Sequence, residues 1–128
     1  MTVTASGLQV PPVPRVAPEA SRTAHDTDAT LTVEDFGVNH TNTGASGTVV
    51  LTLPAAIDAA GMSLGVYLTA AQVVQLLPAS GEKIYLAGSG VADEFLNIDG
   101  TIGNYVDVYC DGEKYLVESY SGVLTKST

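Results

Sequence analysis

The chain has 128 residues, of which 45% are hydrophobic, and a formal net charge of −9 at pH 7. This length allows one domain of roughly 100 residues with a tail. With 5 basic and 14 acidic residues, the chain should be repelled by nucleic acid and by anionic membranes, because binding to both depends on Lys and Arg. We therefore expect neither as a partner.

The beginning of the chain lacks the basic and apolar regions of a secretory signal, and no apolar run is long enough to span a membrane. We therefore expect the protein to be made in the cytoplasm. Cys110 is the only cysteine, which excludes an internal disulfide framework. It ends an alternating stretch without a basic neighbour, so we interpret it as a small, partly buried side chain rather than a nucleophile.

Residues 1–27 differ in composition from the rest of the chain and carry most of its prolines. Such a segment favours extended or polyproline geometry and buries little surface by itself. It is either a flexible tail or an arm that becomes ordered along a partner surface through main-chain pairing. In the second case the side chains that would bind the partner are Val3, Leu8, Val10, Val13 and Val16.

The clearest strand signal lies in residues 42–56, which read NTGASGTVVLTLPAA. Turn residues come first, then residues 48–53 alternate between β-branched and apolar positions, and Pro54 ends the pattern. Val49, Leu51 and Leu53 share one face, so this face should pack on a core.

Further strands are predicted on both sides of this segment. Residues 69–77 also fit a short helix, and residues 54–61 fit a loop or a single helical turn. Asp111 and Gly112 predict a tight hairpin turn, because this pair tolerates the positive φ that such turns need. The other predicted strands are residues 29–33, 62–69, 72–77, 82–87, 95–98, 105–110, 114–119 and 122–126.

About eight short strands with turn signals between them predict an all-β fold. We expect a compact antiparallel β-sandwich or small barrel over residues 28–128, preceded by the extended proline-rich arm of residues 1–27. No long helical period competes with this interpretation.

Three short motifs resemble catalytic or metal-binding patterns, but none has the context that the chemistry requires. Residues 61–65 (GMSLG) match a hydrolase nucleophile elbow, yet they open a strand instead of joining a strand to a helix. Residues 97–102 (NIDGTI) resemble part of a calcium loop, but Phe95 and Val106 occupy two ligand positions. His25 lies near Asp26 and Asp28 without a thiolate pair. We predict no catalytic, metal or cofactor site.

The tyrosines of the β region are a stronger signal. Tyrosine is amphipathic and enriched in interfaces, although cross-strand stacking within one sheet explains the same residues equally well. The residues predicted for a trimer or partner interface are Tyr105, Tyr109, Tyr115 and Tyr120.

Four segments share a recognisable pattern: residues 42–56, the Ile84–Tyr85–Leu86 strand, the G-x-x-V-x-V pattern from Gly103 and the Y-x-G-x-x-T pattern of residues 120–125. Together they resemble a recurrent β domain of tailed-bacteriophage structural proteins. The resemblance covers residues 28–126. That domain occurs in capsid decoration (cement) proteins, head fibres and tail fibres, is typically trimeric, and has no catalytic residues. The chain departs from it at residues 123–124, where Val and Leu stand in place of the usual Trp.

The resemblance implies a non-enzymatic virion protein, most simply a homotrimeric decoration protein that binds the outer surface of the major capsid protein and stabilises the head. Synthesis would then occur in the host cytoplasm. The alternative is a tail-fibre, spike or head-fibre module that binds host-surface carbohydrate.

Overall fold

The computed structural model describes residues 22–128, which form two facing β-sheets. Two short 3-10 helices, Val33–Asp35 and Ala56–Ala59, lie in the connections. The strands are β1 (Arg22–Ala24), β2 (Ala29–Thr30), β3 (Asn39–Thr41), β4 (Val49–Thr52), β5 (Ser63–Tyr67), β6 (Val74–Leu77), β7 (Ile84–Tyr85), β8 (Phe95–Ile98), β9 (Tyr105–Cys110), β10 (Tyr115–Ser121) and β11 (Leu124–Ser127).

The first six strands alternate between the sheets. β1, β3 and β5 pair side by side and parallel in a six-stranded sheet, while β2, β4 and β6 do the same in a five-stranded sheet. The chain therefore crosses from one sheet to the other after each strand and winds through three stacked coils. The strand order is β1-β3-β5-β9-β10-β7 in the larger sheet and β11-β8-β6-β4-β2 in the smaller.

The all-β prediction is confirmed, but the sheets are mixed and not antiparallel throughout. Of the strand pairings within residues 22–128, five are parallel and four antiparallel. Side-chain alternation indicates which residues face the core, and it is the same for both directions. Of the four antiparallel pairs, only β9–β10 joins strands that follow one another in the chain, so the direction of the others depends on the path of the chain between the sheets.

Several local predictions have clear outcomes. β4 lies in the strand predicted at residues 48–53, with Val49, Leu51 and Leu53 buried. β6 is a strand, so the alternative helix over residues 69–77 is wrong. The strand predicted at residues 29–33 is shortened, because the Asp35 carboxylate accepts the Thr32 N–H at 2.7 Å and stabilises a helical turn there.

The predicted hairpin at Asp111 and Gly112 is confirmed. β9 and β10 pair antiparallel, and Gly112 has a φ of 98°. One carboxylate oxygen of Asp111 accepts the N–H groups of Glu113 at 2.8 Å and Lys114 at 2.9 Å. The Lys114 ammonium and these two N–H groups lower the pKa of Asp111 to about 2.

The domain begins earlier than residue 28. β1 pairs with β3, and the Asp28 carboxylate accepts the Val50 N–H at 2.8 Å. Residues 22–27 therefore belong to the β domain and not to the arm. The predicted partner-binding residues Val3, Leu8, Val10, Val13 and Val16 lie outside the described residues.

The prediction that Tyr115 is an interface residue is wrong, because Tyr115 lies in the core between the sheets with 0% of its surface exposed. Its hydroxyl donates to the Pro54 carbonyl at 2.7 Å, and its ring centroid lies 6.3 Å from that of Phe36. The neighbouring thiol of Cys110 donates to the Ala56 carbonyl at 3.2 Å. Both bonds attach the β9–β10 hairpin to the segment that follows β4.

Asn42 joins two of the stacked coils through its side chain, which is 0% exposed. Its carbonyl oxygen accepts the N–H groups of Thr69 and Ala70, both at 2.9 Å. Its amide nitrogen donates to the carbonyls of Ala70 at 3.1 Å and Gln72 at 3.0 Å. The connection between β3 and β4 is thereby bonded to the connection between β5 and β6.

We expect Asn42→Ala to lower the free energy of unfolding by roughly 3 kcal/mol, because the half-buried N–H groups of Thr69 and Ala70 and the Gln72 carbonyl lose this partner. Denaturant unfolding of the full chain measures this change. Asn39→Ala is the matched control, since Asn39 lies in the same region but is exposed, and it should change stability by less than about 0.5 kcal/mol. Equal losses from the two substitutions would contradict the role given to Asn42.

Candidate functional site

The outward-facing strand residues of the five-stranded sheet carry no charge, and the Asp28 carboxylate, which accepts the Val50 N–H at 2.8 Å, lies at the edge beside β2. Burial alternates along β4, β6 and β8, and the register extends the outward rows to both edge strands. We call this surface the uncharged face. Its side chains are Thr30, Val50, Thr52, Gln75, Leu77, Phe95, Asn97, Thr125 and Ser127.

Hydrogen bonds within the uncharged face hold its polar side chains in place. The Gln75 amide donates to the Asn97 side-chain carbonyl at 2.8 Å. The Asn97 amide in turn donates to the hydroxyls of Ser127 at 2.9 Å and Thr125 at 3.2 Å. The polar groups are therefore partly satisfied along the sheet, which reduces the cost of covering them.

The one cation of this sheet does not belong to the uncharged face. In the register of β11 with β8, Lys126 is paired with buried Leu96. Its ammonium donates to the Ile84 carbonyl at 2.6 Å and lies 3.1 Å from the Glu94 carboxylate. The Lys126 ammonium thus has both a counter-ion and a hydrogen-bond acceptor away from the outer surface of the sheet.

The outer face of the six-stranded sheet carries a polar row. Arg22, Asn39, Gly65, Asp107 and Ser119 lie in register on five adjacent strands. The Ser119 hydroxyl donates to one oxygen of the Asp107 carboxylate at 2.8 Å, which orients that group.

A shallow cleft of about 310 Å³ lies along this row. A Cβ at Gly65 would lie 2.5 Å from the Asn39 side-chain oxygen and 2.9 Å from the other Asp107 oxygen. The Asn39 and Asp107 side chains therefore cover the Gly65 backbone, which is buried, and a side chain there would collide with both neighbours. We call the cleft the Gly65 cleft, and its polar lining comprises Asn39, Ser63, Asp107, Glu118 and Ser119.

Two of the predicted tyrosines share this outer face. Tyr105 and Tyr109 lie two residues on either side of Asp107 and are half-buried, and Tyr67 is paired with Tyr105. The Arg22 guanidinium lies 5.3 Å from the centroid of the Tyr67 ring. Tyr120 lies near the end of β10 and is 49% exposed. Three of the four residues predicted for an interface are therefore at least partly accessible.

The motifs that resemble catalytic sites have other roles in the fold. Ser63 opens β5, as predicted for residues 61–65. Cys110 is 0% exposed, more deeply buried than predicted, and burial raises the pKa of its thiol. The Asp99 carboxylate accepts the Thr101 hydroxyl at 2.9 Å. Within residues 22–128, no group of three or more His, Cys, Asp and Glu side chains is placed to hold a metal ion.

Buried His40 and half-buried His25 form a hydrogen-bonded pair that sequence reasoning missed, because the sequence places His25 in the arm. The His40 ring donates from Nε2 to the Asp35 carbonyl at 2.7 Å, so its Nδ1 is free to accept from His25 Nε2 at 2.8 Å. His40 is 0% exposed. Burial, and then His40, lower the pKa of His25, while the Asp35 carboxylate raises it less.

The lowered pKa makes stability depend on pH. His25 resists protonation more in the folded state than in the unfolded state, where the pKa is about 6.5. Its contribution is therefore present above pH 6.5 and is lost as the pH falls below that value. We expect wild type to lose more stability than His25→Gln between about pH 7.5 and pH 5.5.

Denaturant unfolding of both proteins across this range provides the measurement. Using the difference between them removes the contribution of the carboxylates, which both proteins share. Parallel pH profiles would show that the histidine pair does not couple folding to protonation.

No helix of residues 22–128 is both long and apolar enough to cross a membrane. Comparison with protein-family models and with curated protein sequences finds no match to this chain. Its function must therefore be argued from the resemblance of residues 28–126, the uncharged face and the Gly65 cleft.

Proposed function

We propose that the protein is a structural protein of a tailed-bacteriophage virion, which decorates the capsid as a homotrimer bound to the outer surface of the major capsid protein. The observation that carries the proposal is the uncharged face. It supplies a surface of uncharged strand residues for a neighbouring copy on a chain whose net charge is −9. The resemblance of residues 28–126 to phage β domains supplies the virion context.

Electrostatics favour a second copy of this chain as the occupant of the uncharged face. Copies with this much negative charge repel one another, so contact costs least where no carboxylate is buried. The centres of protein interfaces are likewise depleted in charged residues. The outer face of the six-stranded sheet, which carries Tyr105 and Tyr109, is less suitable for contact with a second copy, since Asp107 and Glu118 lie on or beside it.

The dimensions of the uncharged face indicate that it acts together with other contacts. Five strands about 4.8 Å apart, each with about four residues at 3.4 Å, give a plane of roughly 300 Å². A stable interface buries about 800 Å² on each partner. The remaining area would come from the capsid surface, with Val3, Leu8, Val10, Val13 and Val16 as the proposed contacts of the arm.

The proposed mechanism is mechanical and involves no catalysis. A protein that binds only the assembled capsid stabilises that state by mass action. Contacts across neighbouring capsid subunits would then resist the pressure of packaged DNA. The acidic surface suits a position on the capsid exterior, away from the genome.

The alternative is a tail-fibre, spike or head-fibre module that binds host-surface carbohydrate. It shares the fold and the proposed self-association but requires a ligand site. The Gly65 cleft and the tyrosines beside it are the observations that favour this alternative.

Paired substitutions on the two outer faces test the self-association. We expect Leu77→Glu, on the uncharged face, to weaken trimer formation at least about tenfold, because it places carboxylates of neighbouring copies close together. Leu116→Glu is the matched control, since Leu116 is half-buried and pairs with Tyr109 on the other sheet. Light scattering coupled to size exclusion measures the mass of each full chain.

If the trimer persists in Leu77→Glu but dissociates in Leu116→Glu, the interface lies on the outer face of the six-stranded sheet and not on the uncharged face. A monomeric wild type that also fails to bind capsids would overturn the virion proposal.

A second test concerns residues 1–21. We expect a full chain with Val10→Asp, Val13→Asp and Val16→Asp to remain trimeric but to lose at least about tenfold in affinity for capsids that lack decoration protein, because charge replaces apolar contacts. The control is a full chain with Thr4→Asp, Ser6→Asp and Gln9→Asp, which adds the same negative charge to the arm without replacing the valines. Co-sedimentation with capsids reports binding, and equal binding by both variants would remove the arm from the proposed contact.

A further inference from the structure

The strand β1 and the turn after it are attached to the domain by few contacts. Within residues 22–128, β1 pairs only with β3, at the edge of the six-stranded sheet. We call residues 22–27 the β1 segment, and His25 is its one residue that is not exposed. The Asp28 carboxylate accepts the Val50 N–H at 2.8 Å, so the chain is held again directly after this segment.

Two hydrogen bonds join His25 to β3. Its backbone N–H donates to the Thr41 carbonyl at 2.9 Å, and its ring Nε2 donates to Nδ1 of His40 at 2.8 Å. The other ring nitrogen of His40 donates to the Asp35 carbonyl at 2.7 Å. The ring of His25 therefore attaches the exposed β1 segment to a residue that is 0% exposed.

The geometry limits the number of protons that the two rings hold while the β1 segment is attached. One added proton is compatible with the bond between them, because a protonated ring can donate to a neutral ring. With two added protons every ring nitrogen carries a hydrogen, so His25 and His40 would direct N–H groups at each other across 2.8 Å. Two like charges would also lie side by side, partly removed from water.

Detachment of the β1 segment removes this limit. His25 then returns to water, and Nδ1 of His40 loses the ring that covers it, while β3 keeps its pairing with β5. Since a histidine in water has a pKa of about 6.5, the detached state binds more protons than the attached state below that pH. The state that binds more protons is favoured as the pH falls. Burial, followed by the neighbouring His40, lowers the pKa of His25 in the attached state, which acts in the same direction.

The charged groups around the two rings leave this balance in place. The Asp35 carboxylate favours a proton on His25, but less than burial disfavours it. The titratable side chain of β5 is Tyr67, which lies on the outer face of the sheet, and residues 42–48 carry no charge. The other charged side chains of the segments that pack against the rings are exposed, and they are Arg22, Asp26, Asp28 and Glu34.

We propose that the bond between His25 and His40 makes the attachment of β1 sensitive to acid, so that mildly acidic solution detaches the β1 segment while the rest of the domain stays folded. Because residues 1–21 join the domain through β1, acid would also free the point at which they are attached. The proposal does not depend on capsid decoration, since it concerns contacts within one copy of the chain.

Hydrogen exchange of the full chain, measured by mass spectrometry and corrected for the intrinsic exchange rate at each pH, tests the proposal. We expect the opening equilibrium constant of peptides from the β1 segment to rise about tenfold between about pH 7.5 and pH 5.5. Peptides from β11, an edge strand without a histidine, serve as the internal control. Their local opening should change less than about twofold over the same range.

Substitutions assign the effect to the two rings. His25→Gln keeps a donor for Nδ1 of His40 but removes one titrating ring, so the rise should be at least about twofold smaller than in wild type. The double variant His25→Gln with His40→Asn removes both rings, and opening of its β1 segment should not depend on pH in this range. Thr27→Gln, at an exposed position of the same segment, should behave as wild type. Unfolding midpoints check that each variant is folded, and His25→Gln keeps the test valid if the double variant is not.

Any of three results would overturn the proposal. The first is a β1 segment whose opening in wild type does not change with pH. The second is an equal rise in the β1 segment and in β11, which would indicate a general loss of structure in acid. The third is a rise in His25→Gln as large as in wild type. The mass of the full chain in solution, measured at both pH values, reports self-association separately from this opening.

Discussion

The side-chain amide of Asn42 is the interaction on which the coiled part of the fold depends. Its bonds to Thr69, Ala70 and Gln72 join the connections of two successive coils. Buried backbone groups at such crossings have no strand partner, and leaving them unpaired is costly. One buried amide therefore satisfies several backbone groups and joins the two connections that lie between the parallel pairs β3–β5 and β4–β6.

Charge is distributed in a way that gives the two outer faces different chemistry. Within residues 22–128, every Asp and Glu lies outside the strands except Asp107 and Glu118. Both of these line the Gly65 cleft. The five-stranded sheet is left uncharged on its outer face, which favours contact with a similar acidic protein. The six-stranded sheet keeps a polar outer surface around Asp107 and Glu118.

The sheet edges make association through faces more favourable than association through edges. Among residues 22–128, β1, β2 and β7 are edge strands of only two or three residues, and the fourth edge strand, β11, carries Lys126. Short strands and an edge lysine are features that prevent further strands from adding to a sheet. The proposed trimer therefore uses packed side chains of the uncharged face, and the proposed arm contact lies outside this domain.

The amino-acid sequence by itself determined the features that depend on neighbouring residues. Alternation located β4 and β9 and their buried faces, and Asp111 with Gly112 located the hairpin, because side-chain direction and turn geometry are local properties. The charge excess and the absence of a recognisable catalytic motif were likewise readable from residue types alone.

Only the tertiary structure decided which distant segments meet. Four features depend on contacts between residues far apart in the chain. They are the parallel pairing, the burial of Tyr115, the His25–His40 pair and the convergence of Asn39 and Asp107 over Gly65. A single sequence carries no signal for such contacts, since a tyrosine or histidine at an alternating position fits either face of a sheet until its partners are known. The candidate site is made of these contacts, which is why its residues were recognised only in the folded chain.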